Sequence, residues 1–275
     1  MQATVVAFYG EKPEALRALL VACQDAVAGV IGARFRRYEP GQIHGTVIGL
    51  ECCEEEPHRF LNRNFAIRRQ VAVEMDFGGL LGFLREGIDV PFRLQIGGFE
   101  NRDYPFTSRG TRPFVRGFSL QGDCVVVMGW PFLDSRPAGD AASPAAGIEP
   151  ASLYPASLER IRRAAQRHGV LHAYHAAPSD TDNDFYLRIG MIDHPDGVDA
   201  ALATGLQETL RRFLAARPPT VVEVRLADLS VAFYESPELP LGTTRAYSLA
   251  DRRLDAAFIR ETLGRRADTR SAAER

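Results

Sequence analysis

The chain has 275 residues, 45% of them hydrophobic, which is enough apolar material for a full core and excludes a generally disordered polymer. Its 33 basic and 35 acidic residues leave a net charge of −2, so no global field draws it to a long nucleic-acid track or a membrane surface. Lys12 is the sole lysine; arginine therefore supplies nearly all the positive charge, in a form suited to bidentate grips on phosphate or carboxylate.

In chain order, Ala3 to Tyr9 reads as a first strand, lacking the basic start of a signal peptide. Pro13 then opens a helix with Leu16, Leu19, Leu20, Cys23 and Val27 at helical spacing, and no apolar run is expected to reach bilayer-spanning length. Residues 42–50 read as a strand returning to the same sheet. A helix over 79–86 and a strand over 92–99 lead into an arginine-rich loop at 101–116, polar and expected to be exposed. Residues 118–132 carry the central-strand run Cys124-Val125-Val126-Val127-Met128. A second unit follows, with a helix capped by Ser157 and stopped by Gly169, and a strand over 185–192. A helix at 198–215 and a strand at 221–235 complete the pattern. Two stretches, 135–157 and the tail from 264 to 275, are poor in large apolar residues and are expected to be a flexible insertion and a disordered end.

The sharpest chemical feature is Ile43-His44-Gly45-Thr46-Val47. On a strand, residues two apart share a face, so His44 and Thr46 project together, one offering an imidazole for proton transfer and the other a hydroxyl for a phosphate oxygen. Several other clusters compete. His168, His172, His175 and His194 are imidazoles that the stop at Gly169 should keep off one face, so no metal is expected. Cys52-Cys53-Glu54-Glu55-Glu56 reads as an exposed acidic loop, and the four cysteines show no disulfide spacing, as in a reducing cytoplasm. Arg109, Arg112 and Arg116, with Phe106 and Phe114, form the best local basic cluster, with rings available for base stacking. Asp228 and Ser230 are a lower-ranked pair on one strand face.

The order of Ala7-Phe8-Tyr9-Gly10, an amphipathic helix and Ile43-His44-Gly45-Thr46-Val47-Ile48-Gly49-Leu50 resembles the first lobe of the two-histidine (2H) phosphoesterase superfamily, in particular its 2′-5′ RNA ligase-like cyclic phosphodiesterases. Phe92-Arg93-Leu94-Gln95-Ile96-Gly97-Gly98-Phe99 looks like the family's glycine-and-phenylalanine strand, and residues 222–236 like its closing strand. The resemblance implies an α+β fold, a single bilobal domain over 1–263 whose two pseudo-symmetric antiparallel sheets and flanking helices surround a central cleft. It also implies metal-free, cofactor-free hydrolysis of 2′,3′-cyclic phosphates, with a nucleotide or RNA-end phosphate as partner. Where the family carries a second histidine motif, this chain has Tyr186 and Arg188, a departure from the two-histidine pattern. The expected site is His44 and Thr46 as the catalytic pair, with Tyr186, Arg188, Arg109 and Arg116 binding the substrate. A non-catalytic ligand-binding or protein-interaction module on the same scaffold is the alternative.

Overall fold

The computed structural model describes residues 1–133, 151–193 and 198–265. Its strands are β1 (Gln2–Ala7), β2 (Phe35–Arg37), β3 (Gly45–Gly49), β4 (Cys52–Glu56), β5 (Arg59–Asn62), β6 (Phe92–Ile96), β7 (Phe118–Gln121), β8 (Cys124–Pro131), β9 (Phe185–Ile192), β10 (Thr220–Val224), β11 (Leu229–Tyr234) and β12 (Arg245–Ser248). The helices are α1 (Glu14–Ile31), α2 (Arg63–Arg69), α3 (Phe77–Gly82), α4 (Pro113–Arg116), α5 (Ser157–Ala165), α6 (Ala200–Ala215) and α7 (Ala256–Gly264).

The α+β class is as expected, but the strands form one large antiparallel sheet in the order β10-β6-β8-β9-β3-β1-β11-β12, with β2 on β9 and β7 on β8. Strands β4 and β5 make a separate hairpin. The two expected sheets are therefore half-sheets joined edge to edge. Their junction is slender: β3 meets β9 at the single pair Gly45–Leu187. The ring of Phe185 lies directly over the Gly45 backbone, where any Cβ would sit about 2.0 Å from it, so the middle residue of His-Gly-Thr has to be glycine for packing reasons.

Two buried polar side chains flank that junction and donate to backbone carbonyls beside it. On one side Arg162 of α5, 1% exposed, donates to the carbonyls of Val47 (2.9 Å), Thr46 (3.0 Å), Asp182 (2.9 Å) and Asp184 (3.0 Å). On the other, Gln24 of α1 donates from Nε2 to the carbonyls of Tyr38 and Ile189, both at 2.8 Å. The helices cross over accordingly. Helix α1 packs on α6, β2, β9 and β10, whereas α5, from the second unit, packs on β3.

Several local expectations need correction. The segment Glu14–Arg34 is, by length and composition, apolar enough to cross a membrane. Here its apolar stripe, Leu16, Leu19, Leu20, Cys23, Val27 and Ile31, is buried in the core, as in a core helix of a soluble protein. Ser157 is not a cap but the first residue of α5; the side chain of Asn183 accepts from the amides of Leu158 (3.1 Å) and Glu159 (3.3 Å) instead. The strand expected over 221–235 is broken at residues 226–228, where Asp228 accepts from the Arg225 amide at 2.8 Å; β10 and β11 then run in different half-sheets. This turn role accounts for Asp228 without any chemistry. Of the insertion expected at 135–157, residues 135–150 lie outside the described residues, while Tyr154 is buried against Phe106 at 4.6 Å between ring centroids. Residues 266–275 of the expected tail also lie outside.

Because Arg162 is fully buried and pairs with the Asp182 carboxylate at 3.4 Å, removing it leaves four carbonyls and a buried charge uncompensated. Arg162→Met is expected to lower stability by ~3–5 kcal/mol in chemical denaturation. A loss under about 1 kcal/mol, the scale of an exposed ion pair, would contradict a structural role for this residue.

Candidate functional site

Strand alternation turns one face of the sheet toward the helices and the other toward a cleft. In β9, Phe185, Leu187 and Ile189 enter the core while Tyr186 and Arg188 face the cleft. In β3 the alternation carries a bulge: Thr46 pairs with Val6, but Ile48 pairs with Val5 and Gly49 with Thr4. Val47 and Ile48 both enter the core, so the cleft-facing set becomes His44, Thr46 and Gly49.

The cleft has two communicating halves, of about 170 and 240 Å³, that share Thr46, Glu51, Tyr186 and Arg188. The first half adds His44, Tyr38, Tyr234 and the overhanging segment Pro237 to Leu239. The second adds Gly49, Arg109, Tyr174, His172 and the acidic pair Asp182 and Asp184. The four residues expected to converge all line the first half: Thr46, Tyr186 and Arg188 from strands, and His44 from the loop just before β3, which is shorter than the expected 42–50.

His44 is half-buried, and its Nδ1 lies 2.7 Å from the Gln42 carbonyl. Since a carbonyl only accepts, Nδ1 carries the proton and Nε2 keeps its lone pair. Burial, followed by the positive charges of Arg188 and Lys12, outweighs this hydrogen bond and lowers the imidazole pKa to about 4. The loop carrying His44 is held by Lys12 Nζ, which donates to the carbonyls of Gly10 (2.8 Å) and Pro40 (2.6 Å); burial lowers that amine to about 8.

Arg188 donates from Nη1 to the Pro237 carbonyl at 3.4 Å, and among the described residues its guanidinium has no ion-pair partner. Burial works against its charge, but Tyr38, Cys124 and Tyr186 hold it more firmly protonated than a free guanidinium. Burial also pushes the Tyr186 phenol up to about 12, so at neutral pH it is a hydrogen-bond donor and a weak acid. A half-buried guanidinium with no ion-pair partner among the described residues, beside a neutral imidazole, a threonine hydroxyl and phenols, is an arrangement for holding an anion.

The arginine loop behaves differently from expectation. Arg116 turns away from the cleft lining and donates to Asp184 Oδ2 at 2.9 Å, while Ser108 Oγ (2.7 Å) and Trp130 Nε1 (2.8 Å) donate to Oδ1. Arg112 pairs with Asp103 at 3.1 Å. Arg116 is thus an anchor, and the loop is pinned to the fold through buried Ser108. Arg109 does reach the cleft, its guanidinium stacked 3.5 Å over the Tyr174 ring and 3.6 Å from Asp182.

His172 and His175 are buried and serve carboxylates, His172 Nε2 on Asp182 at 2.8 Å and His175 Nε2 on Glu159 at 2.9 Å. Burial pushes Asp182 up, but Arg162, His172 and Arg109 outweigh it and hold the carboxyl below the usual range. His168 lies 3.6 Å from Asp76, and His194 is outside the described residues. No metal-holding group of three or more such side chains occurs among the described residues.

Glu51 was missed in the sequence because it lies beyond the strand and only the bulge brings it round. Its Oε2 folds back over Gly49, where an added Cβ would lie 2.2 Å away, and Oε1 accepts from the Tyr234 hydroxyl at 3.2 Å. Burial raises its pKa above the ordinary carboxyl value. Tyr38 and Tyr234, likewise unforeseen, complete the first half.

No family model and no curated protein matches the sequence. Among solved structures, the protein TT0787 of Thermus thermophilus is similar at 16% identity over 90% of this chain and 95% of that one, with a TM-score of 0.39, a likeness that carries no argument about function.

A histidine whose folded-state pKa lies below its unfolded value of about 6.5 stabilises the fold fully above that pH, and the contribution is lost as pH falls toward the folded value. In an NMR titration His44 is therefore expected to stay neutral down to a midpoint near pH 4, and Arg188→Ala is expected to move that midpoint upward. An unshifted midpoint in the variant would separate the two side chains electrostatically.

Proposed function

We propose that this chain is a divergent 2H-phosphoesterase-like protein whose cleft binds the phosphate of a nucleotide or an RNA end. The observation that carries the reading is the unpaired Arg188 guanidinium lining the same cavity as His44 and Thr46. It is supported by the donor inventory: a guanidinium, a threonine hydroxyl and the Tyr186 phenol line one volume, donors of the kind a phosphate's oxygens require. The four cysteines are free thiols, in keeping with a reducing cytoplasm as its location.

His44 is the acid/base residue of this proposal. Its neutral Nε2 accepts the proton of an attacking water or ribose hydroxyl, and Arg188 and Thr46 hold the charge that builds on the pentavalent phosphorus. A second imidazole is replaced by Tyr186, which at a pKa of about 12 transfers a proton to a leaving oxygen with difficulty. Turnover is accordingly slow. The same replacement favours the second reading, a binding module that has kept the scaffold and lost hydrolysis.

The test is titration of the purified chain with 2′,3′-cyclic nucleotides and short RNAs bearing cyclic-phosphate ends, beside Arg188→Ala and His44→Ala. Saturable binding is expected, weakened roughly 10- to 100-fold by Arg188→Ala, the range for hydrogen bonds to a charged group. Slow product formation is expected to vanish in His44→Ala while binding persists. Binding without turnover selects the module, and absence of binding overturns the proposal.

A further inference from the structure

The cleft also contains a group of opposite sign. Glu51 is in no ion pair among the described residues, although it lines both halves together with the equally unpaired Arg188. Two opposite charges that share a cavity and do not close on each other are complementary to a ligand with an anion at one end and hydrogen-bond donors at the other.

The spacing fits such a ligand. Glu51 Oε2 packs over Gly49, which the bulge sets two ladder positions beyond Thr46, or ~7 Å along the strand at ~3.3 Å per residue. A nucleotide, whose base edge lies farther than this from its phosphate, is long enough to reach it. Between these ends stand Tyr186 and Tyr174, the latter stacked with Arg109, which together offer flat surfaces for a base. Stacking holds every base, because each has a π-face. Selection must come from the edge, and there the polar group is a carboxylate that Tyr234 and Asn64 hold in place beside the Arg63 charge, with acceptor capacity remaining on its oxygens.

We infer that the second half of the cleft is a nucleobase subsite that selects guanine through Glu51. This rests on the phosphate reading above and adds to it the identity of the base. Guanine presents two adjacent donors, N1–H and N2–H₂, matching both oxygens of a carboxylate. Hypoxanthine retains only the first. Adenine and cytosine place a ring nitrogen lone pair beside the amino group, and uracil flanks its N3–H with two carbonyls, so each meets the carboxylate with a repulsive neighbour.

Calorimetric titration of the full chain with guanosine, inosine, adenosine, cytidine and uridine 3′-monophosphates tests this. Guanosine monophosphate is expected to bind at least ~10-fold more tightly than the others, the scale of one bidentate base contact. Glu51→Gln keeps the side chain's shape but loses one acceptor, and is expected to bring guanosine down to the level of adenosine. Gly49→Ala leaves Glu51 in the sequence but displaces its carboxylate, and is expected to erase the same preference. Circular dichroism confirms that each variant is folded. Arg188→Ala should weaken all five nucleotides alike. A dinucleotide 3′-phosphate ending in guanosine, run alongside, distinguishes an RNA end from a free nucleotide: tighter binding than the mononucleotide marks the former and equal or weaker binding the latter, both keeping the guanine subsite. Equal binding of all bases by the wild-type chain, or a guanine preference surviving in both Glu51→Gln and Gly49→Ala, overturns the subsite while leaving the phosphate site standing. Failure of every nucleotide to bind overturns both.

Discussion

The architecture depends on how little backbone joins its halves. One residue pair, Gly45 with Leu187, carries the sheet across its middle, and the carbonyls on either side are taken up by Arg162 and Gln24. A side chain from the second unit's helix holds β3, and one from the first unit's helix holds β9, so each half is completed by the other's helix. The arrangement is costly to build, since a buried guanidinium must find a full set of acceptors. Arg162 finds four carbonyls and the Asp182 carboxylate.

That seam also creates the cleft. Where β2 ends and β3 begins, the chain between them leaves the sheet, and the gap exposes the outer faces of β3 and β9 to one volume. His44, Thr46, Tyr186 and Arg188 stand on those faces. The overhanging segment from Pro237 to Leu239, tied down by Arg36 on Glu238 at 2.9 Å and by Tyr9 on the Leu239 carbonyl at 3.1 Å, narrows the opening and limits water around the Arg188 guanidinium.

Much of this was legible in the sequence because period and punctuation are local. The apolar stripe of α1, the run of β8, the exact span of β9 and the stop at Gly169 all follow from residues a few positions apart. So does the pairing of Tyr186 with Arg188 on one strand face. What escaped was set by distant partners. Ser157 reads as a cap until Asn183 supplies the acceptor from the other side of a loop. Arg116 reads as a free basic group until Asp184 takes it, and the 101–116 loop reads as exposed until Ser108 is buried on that same carboxylate. Glu51 was invisible because the count of two that places His44 with Thr46 fails one residue later.

The extra residue in β3 makes strand pairing, and not composition alone, an encoder of the cavity. Were Val47 to take a regular place in an unbroken ladder, Gly49 would turn toward the helices and carry the Glu51 carboxylate away with it, while His44 and Thr46 kept their places. A slip of one position in pairing, with every named polar group still present, would thus divorce the anion-holding end of the cavity from its acidic end. The phase of a single strand decides whether these two chemistries are ever met by the same molecule.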